Sequence, residues 1–232
     1  MDHDDRQAET AVARLLPEIN LSYSAALLWR TLCRTSLVKT IWYSVRNQGF
    51  IIVGHRAHIR MAKHSRIVLR KRAMLIVGID WNLPEHSLVE LDTNATLFVD
   101  GTVTVNRGSS LILGRDATMR IGHHTFFNDR CFVLSRLNMV IGKDCAIGRN
   151  VNIFDSDEHE ILRSGKLQPI SKDIVIGDRV WIGTGVTVLK GSNISDGAII
   201  GAGSIVTADI PSGTISVGSP ARVIVTDATW KV

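Results

Sequence analysis

The sequence predicts a mainly β solenoid of short strands wound into coils, with a helical extension before it and a polar loop projecting from it. Three observations predict this. Aliphatic residues recur every six positions, as Ile141, Ile147 and Ile153, and again as Ile176, Ile182, Val188, Ile194, Ile200 and Val206. Glycine follows directly in Ile141-Gly142, Ile147-Gly148, Ile176-Gly177, Ile182-Gly183 and Ile200-Gly201, and a slim residue stands four places on, as in Cys145, Val151, Val180, Val186, Ser192, Ala198 and Ser204. From Ile51 onward Ile and Val become frequent and helix formers thin out, which favours pleated over helical backbone. A six-residue period matches neither the 3.6 of a helix nor the 2 of a strand. It fits flat strands joined by tight corners, with the leading aliphatic and the slim residue both pointing inward and glycine easing the corner backbone. Internal repetition of this kind marks a solenoid, and hexapeptides are a known β-helix repeat.

The elements follow in order. Residues 1–20 form a polar leader with net charge −3, and residues 21–47, without Pro or Gly and rich in Leu, Ala, Arg and Trp, read as one or two helices. Together residues 1–50 make the leader and basic helical extension. Residues 51–225 make the coiled domain, and residues 226–232 a tail. Within the domain the repeat is weaker upstream, where Val99, Val105 and Leu111 keep the spacing and Leu113 and Ile121 shift it; coils are expected from about residue 67. The repeat breaks between Ile153 and Ile176, where a polar insert (loop 154–173) carries Asp155-Ser156-Asp157-Glu158-His159-Glu160. Loops projecting from a rigid scaffold are where chemistry tends to sit.

The chain of 232 residues is 45% hydrophobic and 21% charged, which excludes a disordered polyampholyte and a collagen-like chain. Three widely spaced cysteines (Cys33, Cys131, Cys145) argue against a disulfide framework and a CxxC zinc site, and suit a reducing compartment. The net charge of +5 hides an asymmetry: residues 21–79 contain no Asp or Glu and sum to +11, while residues 80–232 sum to −3. Basicity confined to one segment is no argument for nucleic acid binding, and none is expected. The opening Met1-Asp2-His3-Asp4-Asp5 lacks the basic start and apolar run of a secretory signal. The apolar stretch 24–45 is broken by Arg30, Arg34 and Lys39, so no spanning segment is expected. The expected location is cytoplasmic, with peripheral contact at the inner face of the membrane, or with a lipid-linked glycan, through residues 21–79.

Four stretches resemble a known family: Ile147-Gly148-Arg149-Asn150-Val151-Asn152-Ile153, Ile176-Gly177-Asp178-Arg179-Val180-Trp181-Ile182-Gly183, Ile200-Gly201-Ala202-Gly203-Ser204-Ile205-Val206-Thr207, and Val217-Gly218-Ser219-Pro220-Ala221-Arg222-Val223-Ile224. With the His-bearing insert, they resemble the hexapeptide acetyltransferases, built on a left-handed parallel β-helix. Within that family the sequence is similar to galactoside, maltose and nodulation-factor O-acetyltransferases and to related capsule or lipopolysaccharide enzymes. The resemblance runs from about residue 121 to 225 and does not cover residues 1–50.

The resemblance implies an acetyl-CoA-dependent O-acetyltransferase acting on a sugar or glycan, working as a homotrimer with sites between neighbouring solenoids. His159 stands at the family's catalytic position; imidazole titrates near neutrality and suits the removal of a hydroxyl proton. Of the carboxylates around it, Asp157 is the first candidate to orient the imidazole and Asp155 the next, with Asp155 also counted toward acceptor binding. Asn128 matches an Asn that holds the acceptor, since an amide both donates and accepts. Ser135 and Arg136 replace two acidic acceptor-binding residues of the galactoside enzymes, which argues against a galactoside; Arg136 is read as facing an anionic acceptor. For the donor, the matching positions are Thr184, Ala202, Thr207 and Arg222. Ala208 replaces a common Lys, so Lys190 or Lys172 is assigned part of the phosphate grip. Trp181 matches a coil Trp that walls the site. No metal is expected: His123 and His124, read as neighbours on a strand, would point to opposite faces, and His159 is distant in sequence. Two other readings remain open, acylation of an amine on a nucleotide sugar or other small molecule, and a non-catalytic trimeric assembly protein.

Overall fold

The computed structural model describes residues 35–79 and 85–231. The helical reading of residues 21–34, with Arg30, Cys33 and Arg34, lies outside the described residues. The rest is a three-sided parallel β-helix. Among the described residues, nine strands stack in one sheet, seven in a second and six in a third. Each coil visits them in turn: Phe126–Phe127 lies in the first sheet, Phe132–Ser135 in the second, Asn138–Ile141 in the third, and Ala146–Ile147 returns to the first. We call the passages from first to second, second to third, and third to first sheet the first, second and third corners.

The hexad aliphatics fill the interior as their spacing predicts. Ile141, Ile147, Ile153, Ile176, Ile182, Val188, Ile194, Ile200 and Val206 are all buried, and so are the slim residues from Cys145 to Ser204. The two sets interlock because each strand contributes one or two residues inward and the slim residue at the corner adds another. The weaker upstream repeat has a geometric cause. Trp181 pairs with Ile199, 18 residues or three hexads on, whereas Phe126 pairs with Ala146 after 20, Thr104 with Phe126 after 22, and Phe50 with Met74 after 24. Longer corners hide the period. The first strand is accordingly Phe50–Val53, earlier than the expected start near residue 67.

The corner glycines have two roles. The left-handed position two places after an Ile-Gly glycine is held by Gly185 (φ 71) and Gly203 (φ 71) in the later coils, as expected of glycine, and by Asp144 (φ 56), Asn150 (φ 54) and Arg179 (φ 52) in the others. The glycine itself is needed for close stacking: a Cβ on Gly142 would lie 2.5 Å from the Gly177 carbonyl carbon one coil on. The left-handed turns therefore rest on a column where no side chain fits.

Helix α1 (Leu37–Arg46) starts at Ser36, whose hydroxyl accepts from the Lys39 amide at 3.4 Å, and closes the open end of the solenoid. The first strands are edges with unpaired backbone groups, and the helix satisfies them with side chains. Thr40 Oγ1 accepts from the Val53 amide (3.1 Å), Ser44 Oγ both accepts from and donates to Ile51, and Lys39 Nζ donates to the carbonyls of His55 and Ala57. Tyr43 Oη donates to the Ile59 carbonyl at 2.5 Å. No described helix is long and apolar enough to cross a membrane.

Candidate active site

The insert leaves the second corner after the strand Asn152–Phe154 and returns at Ile174–Ile176. It folds as an antiparallel arm. The Asp157 amide donates to the Ile170 carbonyl (2.9 Å) and the Lys172 amide to the Asp155 carbonyl (2.9 Å). Farther out, Leu162–Arg163 pairs with Lys166–Leu167. Two devices fix its root. Asp155 is 0% exposed, and its carboxylate accepts from Ser135 Oγ (2.8 Å), the Arg136 amide (2.6 Å) and the Leu137 amide (3.0 Å). Burial pushes this carboxyl up, and the two amides and the hydroxyl pull it back down. Lys190 pairs with Asp157 at 2.5 Å and donates to the carbonyls of Pro169 and Ile170.

His159 is exposed on the outgoing leg, one residue after the left-handed Glu158 (φ 57). Its Nδ1 lies 3.1 Å from the Asp157 carbonyl oxygen. A carbonyl only accepts, so Nδ1 carries a hydrogen, and in the neutral ring the lone pair is on Nε2. A ring held in that tautomer can take a proton through Nε2.

Several of these side chains have partners within the chain. The Asp157 carboxylate is engaged by Lys190, and it is the Asp157 backbone carbonyl that faces the imidazole. Asp155 is sealed beneath the corner and serves as an anchor for the arm, with no surface for an acceptor. Arg136 is paired with Glu158, so its charge is met within the chain. Lys190, expected to share the phosphate grip, holds the arm through Asp157 and the Pro169 carbonyl. His123 and His124 sit together in a turn with ring centroids 3.5 Å apart, rather than on opposite faces of a strand. Among the described residues no group of three or more His, Cys, Asp or Glu is placed to hold a metal.

The remaining residues fall into separate places. Asn128 is half-buried at the first corner, with Oδ1 accepting from the Asp129 amide at 2.9 Å. Thr184 and Ala202 are exposed at the same corner in later coils, joined by the Gly203 amide donating to the Thr184 carbonyl at 2.9 Å. Thr207 is exposed at the second corner, and Arg222 lies on the final antiparallel strand Ala221–Val225 with its guanidinium on the Ala221 carbonyl. Trp181 faces outward from the first sheet, 6.0 Å from Trp230, whose Nε1 donates to the Arg179 carbonyl (2.7 Å). Asn128, Thr184 and Ala202 therefore share one edge of the prism, while the arm bearing His159 is rooted at another.

Sequence reasoning missed a ladder of charges beside Asn128. Arg107 pairs with Asp129 (3.0 Å), Arg130 with Glu85, and Arg149 with Asp129 (3.3 Å). The intervals 85 to 107, 107 to 129 and 129 to 149 are 22, 22 and 20, each about one coil, so the coil length read at 20–22 residues would have found it.

No family model matches the sequence. The polysialic acid O-acetyltransferase of Escherichia coli O1:K1 is 37% identical over 134 residues, 57% of this chain and 41% of that protein. The galactoside O-acetyltransferase of Escherichia coli K12 is 35% identical over 111 residues, 47% of this chain and 54% of that one. The crystal structure of NeuO, an acetyltransferase specific for polysialic acid, aligns with a TM-score of 0.55 at 26% identity, over 76% of this chain and 89% of that chain. The chain resembles the hexapeptide-repeat acetyltransferases. Its fold is their left-handed parallel β-helix. The chain spans about half the length of the curated relatives it matches.

Proposed function

We propose that the protein transfers an acetyl group from acetyl-CoA to a hydroxyl of a glycan, in polysaccharide or lipopolysaccharide biosynthesis in the cytoplasm. The observation that carries this is His159, held through Nδ1 on a pinned arm with Nε2 free. Nε2 removes the acceptor hydroxyl proton as the oxygen attacks the thioester carbonyl; the carbon–sulfur bond then breaks and the CoA thiolate leaves, taking up the proton. The Asp157 carbonyl orients the ring. The donor lies along the first corner, where Thr184 and Ala202 are flanked by Gly183, Gly185, Gly201 and Gly203 and leave a narrow, smooth rail. Thr207 and Arg222 serve its nucleotide end, and Trp181 walls the site. Asn128 holds the acceptor.

In one chain Asn128 and the rail belong to one edge and the root of the arm to the next. Apposition of two chains in a homotrimer brings such edges together, which supports a site shared between subunits. The test is transfer of radiolabelled acetate from acetyl-CoA to a glycan, with release of the label by mild alkali as an ester requires. His159→Ala should lower the rate at least a hundredfold; a loss below about tenfold would overturn the general-base role. A monomer at micromolar concentration by light scattering would overturn the shared site. Absence of a thermal shift with saturating acetyl-CoA would overturn the donor.

A further inference from the structure

The capping helix is turned the wrong way for an ordinary surface helix. At about 100° per residue, Leu37, Val38, Ile41, Trp42 and Val45 fall within an arc of about 140°. An apolar arc of that width normally faces a core. Here Lys39, Thr40, Tyr43 and Ser44 face the solenoid edge, and the apolar arc faces out, with Val38 81%, Val45 73% and Trp42 52% exposed in the described residues. The edge needs hydrogen-bonding side chains, so the polar face is used inward and the apolar face is what remains.

The segment that carries that face is basic. Residues 35–79 contain nine Lys and Arg and no Asp or Glu, and one of the nine, Arg60, is paired with Glu90 of the next coil. Arg46 lies over the Trp42 ring, 5.1 Å from its centroid. Beyond the helix an open cavity of about 360 Å³ has Arg46 and Arg66 in its wall with Asn47, Gln48 and Ser65, alongside the apolar Met61 and residues 67–69, and no acidic group.

We propose that this end of the molecule docks on an anionic lipid surface, with the outer face of α1 entering the headgroup boundary and the Arg46–Arg66 cavity receiving a lipid phosphate. Apolar side chains flanked by cations are the two parts such binding uses: burial of apolar area and attraction to anionic headgroups. Trp is favoured at that depth because its ring is apolar and its N–H is not. The charge selects this occupant over an apolar protein surface, which would offer Arg46 and Arg66 no anionic counterpart. The inference concerns a surface remote from His159 in the fold and does not depend on the acetyl-transfer reading.

The test is flotation of the full-length protein with phosphatidylcholine vesicles and with vesicles in which about one third is phosphatidylglycerol. Binding is expected to the anionic vesicles alone, and to weaken with salt. Val38→Ser with Trp42→Ser should reduce it at least tenfold, and Arg46→Ser with Arg66→Ser about thirtyfold, the yield of two cations near an anionic surface. All four side chains are exposed, so melting should be unchanged. Equal binding to neutral vesicles, no binding, or indifference to both double variants overturns the proposal. So does a Trp42 fluorescence contribution, taken as wild type minus Trp42→Phe, that is shielded from acrylamide before lipid is added, because another segment would then cover the face. A fall in molecular mass on Val38→Asp overturns it as well, in favour of a second copy.

Discussion

Asp155→Ala is the sharpest perturbation of the candidate site that leaves every reacting group in place. Its carboxylate is fully buried and accepts from one hydroxyl and two backbone amides. The aspartate carries a desolvation penalty of its own, so the three bonds together are worth less than their sum. Removal leaves Ser135 Oγ and the Arg136 and Leu137 amides without an acceptor, at about 1–3 kcal/mol each, or about 3–5 kcal/mol for a broken buried charge network. At about 2–4 °C per kcal/mol for a chain of this size, melting should fall by about 6–20 °C. Protein concentration is held fixed, because assembly alters the midpoint. Hydrogen exchange gives the local readout: the Arg136 and Leu137 amides should lose protection ahead of the hexad core. A cost below about 1 kcal/mol with both amides still protected would refute the anchor. Asp155 also sets a pH dependence. Its folded pKa is raised by burial, so this group's contribution to stability is full below the ordinary carboxylate value and is lost as pH rises through the raised one. The stability of wild type minus that of Asp155→Asn should therefore fall as pH climbs from about 4.

Three further outcomes are expected. Lys190→Met removes the ion pair to Asp157 and two bonds to arm carbonyls, so limited proteolysis within the insert should quicken severalfold while the core melts within about 2 °C of wild type; an unchanged digestion rate would contradict the clamp. Gly142→Ala should cost about 2–3 kcal/mol in urea unfolding, because its Cβ meets the backbone of the next coil. Gly165→Ala should cost about 1 kcal/mol, for its Cβ meets nothing but its φ is +72. Burial pushes the Cys131 and Cys145 thiols up to about 11, so iodoacetamide at pH 8 should label neither until denaturant is added; peptide mapping of labelled native protein checks this.

The solenoid was legible because its cause is local and repeated. Inward hexads at Ile176 through Val206 must fill an interior of constant width, and only a six-residue spacing returns a side chain to it in 18-residue coils. Upstream the same interior is served by coils of 20 to 30 residues, so a fixed period lost the register although the buried aliphatics were there. The position of His159 on a polar insert could also be read, since a run from Asp155 to Glu160 cannot occupy a coil face.

By itself, then, the sequence determined the interior of this protein and where its arm leaves the coil, both being matters of spacing and polarity along the chain. Only the tertiary structure decided what each charge on the arm does. Asp155 and Asp157 stand on the arm and Arg136 and Lys190 on the coils beside it, and their partners were set by which atoms stood within bonding distance: Ser135 and two amides for the first, Lys190 for the second, Glu158 for the third and the arm's carbonyls for the last. The helix shows the same division. Its amphipathic pattern is in the sequence, but the outward turn of its apolar face follows from an edge of unpaired backbone groups that exists only once the coils are stacked.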